Sequence, residues 1–123
     1  MTVIKKRVQI ELPANSIYHV ITNDRQMKII IKCDDSSIYA PVAGRVIGYS
    51  KQNRTIDIIT ENSEVSLRMQ LPAGVTEQIT FYINLGERVT RGLKLADLKA
   101  LSGDLSITTV NLDEHYHYEI CKR

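Results

Sequence analysis

The sequence predicts an all-β protein, a small β-sandwich barrel with extra N-terminal strands. Three observations carry this reading. Short apolar runs alternate with polar residues at a period of two, as Ile79, Phe81 and Ile83 do with Thr80, Tyr82 and Asn84. Strand signals recur about every 8–12 residues with turn residues between them. No stretch keeps a helical period beyond about two turns.

The N-terminal strands come first. Val8, Ile10 and Leu12 oppose Arg7, Gln9 and Glu11, which reads as a strand within Val3–Leu12. Pro13-Ala-Asn-Ser16 is turn chemistry, and Ile17 to Ile21 is a second apolar run, broken by Asn23-Asp24. Met27 to Lys32 is a third strand, followed by an Asp34-Asp35-Ser36-Ser37 loop. Ile38 to Tyr49 comes next. Pro41 cannot donate to a ladder and suits a strand end, Gly44 marks a bend, and Val46 and Ile47 resume the strand. Lys51-Gln-Asn-Arg54 is a polar hairpin tip. Thr55–Thr60 and Val65–Met69 are strands around a Glu61–Glu64 turn, and Pro72-Ala-Gly74 is a corner.

Ile79 to Leu98 organises the rest. A strand runs into Gly86-Glu-Arg-Val-Thr-Arg-Gly92, and each glycine is placed for a sharp corner because it can take positive φ without a Cβ clash. Val89, midway between them, is expected to point inward. Leu93, Leu95 and Leu98 begin the next β segment. Lys99–Asp104 is a turn, Leu105–Val110 a strand, and His115–Cys121 a final strand with strict alternation.

The chain has 123 residues, enough for one domain with its own core, and a single domain over 1–123 is expected. Charge is nearly balanced, with 16 basic and 14 acidic residues, and Lys5-Lys6-Arg7 is the one basic run. That excludes the basic stripe of a nucleic-acid binder. No apolar run approaches the roughly 18 residues of a membrane span, and no signal-peptide pattern opens the chain. Cys33 and Cys121 lie far apart and outside any C-x-x-C pair, which points to free thiols and a cytoplasmic setting.

Ile38-Tyr-Ala-Pro-Val-Ala-Gly-Arg-Val46 together with Gly86–Gly92 resembles the a-P-x-x-G-x-V and G-x-x-V-x-x-G elements of barrel-sandwich hybrid domains. That superfamily includes biotinyl and lipoyl carriers, sugar-phosphotransferase IIA domains, M23 metallopeptidases and phosphatidylserine decarboxylases. A carrier needs a lysine at a hairpin tip beside methionine or acidic residues. Lys51 stands at a tip between Ser50 and Gln52, and Met69 follows Arg68. A IIA domain needs a histidine on the strand after Thr55–Thr60, where this chain has Ser66-Leu-Arg-Met-Gln-Leu71.

Residues 65–110 are similar in order to the end of the phosphatidylserine decarboxylase fold. The resemblance implies self-cleavage at a Gly-Ser bond to give a pyruvoyl electron sink. Here the turn reads Leu101-Ser102-Gly103-Asp104, the reverse order, and Ala43 holds the place of an expected acidic residue; His19 corresponds to the upstream histidine. His115-Tyr-His-Tyr-Glu-Ile120 resembles the H-x-H-[FYW]-E-[IV] strand of M23 metallopeptidases. On a strand, residues 115 and 117 share a face and could converge on zinc. The family's earlier H-x-x-x-D is matched by His19…Asp24 with one extra residue.

Each candidate also has a plain reading. His115 and His117 suit an edge strand, and Ser102 suits a turn. Tyr39, Tyr49 and Tyr82 with Arg45, Arg88 and Arg91 form either a polar groove or a solvated barrel face. The sequence therefore points to a non-catalytic binding or assembly module, without a cofactor and with a protein partner or a homo-oligomer. The alternatives are a zinc-dependent hydrolase on His115 and His117 with Asp24, and a divergent decarboxylase relative. His19, Ser102, His115 and His117 are the catalytic candidates.

Overall fold

The computed structural model describes residues 6–11, 18–23, 26–32, 37–61, 65–72, 79–98, 104–110 and 116–121. Among these, every regular element is a strand: β1 (Lys6–Glu11), β2 (Tyr18–Asn23), β3 (Gln26–Lys32), β4 (Ser37–Tyr39), β5 (Gly44–Ser50) and β6 (Thr55–Thr60). They are followed by β7 (Ser66–Gln70), β8 (Ile79–Phe81), β9 (Arg88–Val89), β10 (Lys94–Leu98), β11 (Asp104–Val110) and β12 (Tyr116–Cys121). The fold is all-β, of the barrel-sandwich type.

Seven strands form one antiparallel sheet in the order β2-β3-β11-β7-β6-β5-β9, and three form a second, β4-β10-β8. Both sheets feed one core. Ile29, Ile31, Val46, Ile56, Ile58, Leu67, Met69, Leu105 and Ile107 of the larger sheet share a buried cluster with Ile38, Ile79, Leu95, Ala96 and Leu98 of the smaller. Strict alternation produces it: along β7, Leu67 and Met69 are buried while Arg68 between them is exposed.

Two short stretches join the sheets, and they are those singled out in the sequence. Ala40 donates its N–H to the Leu93 carbonyl and accepts from Gly92 N–H. Val46 donates to the Glu87 carbonyl and accepts from Gly86 N–H. Midway, Gly44 is the register partner of Val89, which is fully buried. The turn arms at residues 40–46 and 86–93 thus clasp each other, with Pro41–Ala43 carrying the chain from the small sheet to the large one. Gly86 and Gly92 adopt φ of 83° and 87°, the left-handed region expected of them.

Three features depart from the sequence pattern. A bulge between Val46 and Gly48 leaves Ile47 without a register partner; Ile47 is 47% exposed because it follows buried Val46 and takes the outer face by simple alternation. Leu93 is also exposed, since it closes the Gly92 turn onto the Thr90 carbonyl before β10 begins. β1 and β12 pair in parallel, Lys6 opposite Tyr116 through Glu11 opposite Cys121, a long-range pairing that alternation alone does not encode.

Candidate functional site

The residues proposed from the sequence fall in several places. His19 lies exposed on β2, with Ile30 as its register partner. His117 lies on β12, opposite Arg7, in a different sheet. Asp24, Ser102 and His115 lie outside the described residues. Among the described residues no group of three or more His, Cys, Asp or Glu side chains is placed to hold a metal ion. Likewise no helix among them is long and apolar enough to cross a membrane.

The outer face of β7 presents Arg68. Its guanidinium makes two bonds to Asp57 on β6, 2.8 Å to Oδ1 and 3.1 Å to Oδ2. That contact raises the arginine pKa further. Lys51 is exposed at the β5–β6 tip, whose geometry is fixed by Asn53 N–H donating to Ser50 Oγ and by Arg54 at φ 55°.

The small sheet carries the densest polar cluster. Asp97 on β10 accepts from Tyr82 Oη at 2.6 Å and from Ser37 Oγ at 2.8 Å, and pairs with Lys94 Nζ at 3.0 Å. Lys94 also stands over the Tyr82 ring, 5.5 Å from its centroid. The bond from Tyr82, then those from Ser37 and Lys94, hold the Asp97 carboxyl below its ordinary range. The same contact with Asp97 raises both Tyr82 and Lys94. Through Asp97 these bonds tie β10 to β4 at Ser37 and to the segment after β8 at Tyr82.

A cavity of ≈ 280 Å³ opens at the other end of the large sheet, lined by Gly44, Arg45, Ile59, Thr60, Glu61 and Arg88. Arg45 and Arg88 are directly opposed across β5 and β9. Arg45 Nη1 donates to the Gly86 carbonyl at 2.9 Å. Arg91, grouped with them in the sequence, does not line the cavity. The tyrosines separate too. Tyr82 belongs to the Asp97 cluster, while Tyr49 contacts Phe81 with ring centroids 5.1 Å apart. Of the residues Tyr39, Tyr49, Tyr82, Arg45, Arg88 and Arg91, the register makes Arg45 and Arg88 neighbours, which no local pattern in the chain marks.

The edge of the large sheet is the second feature. β2 pairs continuously with β3 from Tyr18 opposite Ile31 to Asn23 opposite Gln26, and with no other described strand. Tyr-His-Val-Ile-Thr-Asn carries no Lys, Arg, Asp, Glu or Pro. Val20 and Ile21, on opposite faces, are 42% and 51% exposed.

This architecture matches a solved one. Glucose permease IIA from Mycoplasma capricolum superposes with a TM-score of 0.66 at 18% identity, over 83% of this chain and 79% of that one. No family model and no curated protein matches the chain. The likeness is one of fold: this chain belongs to the same sandwich-barrel class of β domains.

Proposed function

We propose that the protein is a non-catalytic binding or assembly module that self-associates through β2. The edge of β2, unpaired among the described residues, carries this reading. Monomeric β proteins protect such edges with lysine, proline, bulges or covering segments. β2 has none of the first three, and its apolar side chains are exposed on both faces. A second copy is the natural occupant, because a neutral strand is self-complementary under two-fold symmetry. Antiparallel pairing about Val20 would set His19 opposite Ile21 of the second copy and Tyr18 opposite its Thr22, extending the large sheet across the dimer.

Sedimentation analysis across a concentration series tests this. The wild-type chain is expected to dimerise, and Ile21→Lys to weaken the dimer by tenfold or more while leaving the fold intact, since Ile21 is exposed. A strict monomer at high concentration overturns the reading. It requires neither zinc nor pyruvoyl chemistry. Ser102-Gly103 reverses the decarboxylase cleavage dipeptide. The hydrolase alternative rests on the His115-Tyr-His117 pattern.

A further inference from the structure

We infer that the cavity between Arg45 and Arg88 is a binding site for a small tetrahedral oxyanion of the phosphate class. Two like charges directly opposite on neighbouring strands destabilise a sheet. Arg45 and Arg88 are register partners, so their side chains leave the same face together. Among the described residues neither guanidinium has an ion-pair partner; the pairs present there join Arg68 to Asp57 and Lys94 to Asp97.

The surroundings favour an anion between them. Arg45 is held by its bond to the Gly86 carbonyl, which leaves its remaining N–H groups available. Arg88 makes no hydrogen bond among the described residues and can swing to complete a fork. Guanidinium groups suit phosphate because two parallel N–H donors match two oxygens. Gly44 and half-buried Ile59 form the wall, and Thr60 stands beside them.

Size and charge set the class. At ≈ 280 Å³ the cavity lies at the small end of ligand pockets, suited to phosphate or a compact phosphomonoester. Glu61 on the lining repels an extended polyanion and can accept from a hydroxyl or ammonium on the ligand. The site is separate from the Arg68–Asp57 pair and independent of β2.

Titration of ¹⁵N-labelled protein with inorganic phosphate at constant ionic strength tests the assignment. Saturable shifts are expected at the amides of Gly44, Arg45, Thr60 and Arg88 and absent with chloride. Arg88→Ala is expected to weaken phosphate binding tenfold or more, with Arg88→Lys intermediate because it keeps the charge and loses the fork. Arg88 is exposed, so neither variant compromises folding. A parallel titration with glycerol phosphate asks whether the ester binds more tightly than the free ion, and with acetate whether carboxylate competes. Shifts that fail to saturate, or that spread over unrelated lysines and arginines, overturn the inference. Unchanged binding in Arg88→Ala does the same.

Discussion

Gly44 stands where the chain passes between sheets, with β6 on one side and β9 on the other. A Cβ built there would meet the Ile59 carbonyl oxygen at 2.0 Å, and the obstacle is backbone in the middle of a ladder. Gly44→Ala is therefore expected to cost about 3 kcal/mol, read as a lower urea midpoint at unchanged slope. Gly86 is the contrasting case: nothing lies within 4 Å of an added Cβ, and only its φ of +83° resists substitution. Gly86→Ala should cost about 1 kcal/mol, less than Gly44→Ala. Asp97 gives a pH dependence at the same scale. Its pKa is depressed in the folded chain by Tyr82, Ser37 and Lys94. A depressed carboxyl adds stability above its unfolded value of about 3.8, and loses it as pH falls through the lower folded value. Thermal unfolding from pH 6 to pH 2 should show that loss, and Asp97→Asn should remove this part of it.

Single strands differ in how far their neighbours define them. β7 is flanked on both sides, and its alternation translates directly into buried Leu67 and Met69 around exposed Arg68. β2 carries the consecutive apolar pair Val20-Ile21 and lies at an edge, so Val20 stays 42% exposed although it shares the face of buried Ile29. Alternation fixes which face a residue takes; only the neighbouring layer decides whether that face is covered. A lysine at Val20 should loosen the dimer as Ile21→Lys does, because it places charge on the other face of the same edge. If Val20→Lys sediments as the wild type does, β2 is not the contact. In β5 alternation holds through exposed Ile47, and the bulge that follows shifts the pairing of Gly48 to Ser50 against β6.

For the molecule as a whole, chemistry and architecture separate. The fold is shared with glucose permease IIA at 18% identity, while the outer face of β7 is occupied by the Arg68–Asp57 pair. Protein purified without a histidine tag is expected to contain no stoichiometric zinc and to run as an intact 14.0 kDa chain. Stoichiometric zinc that disappears in His115→Ala would move the hydrolase reading ahead of the assembly reading. A break before any serine would do the same for pyruvoyl chemistry.

By itself the sequence determined the all-β class, most strand positions, the left-handed glycines at 86 and 92, and the inward Val89. These follow from local terms: side-chain alternation, the conformational freedom of glycine, and turn chemistry. The tertiary structure alone decided which strands are neighbours. That pairing set Arg45 against Arg88, gathered Ser37, Tyr82 and Lys94 around Asp97, brought β1 beside β12, and left β2 at an edge. Register is a long-range property: it depends on which apolar faces close one core together, and no local window of the chain contains that information.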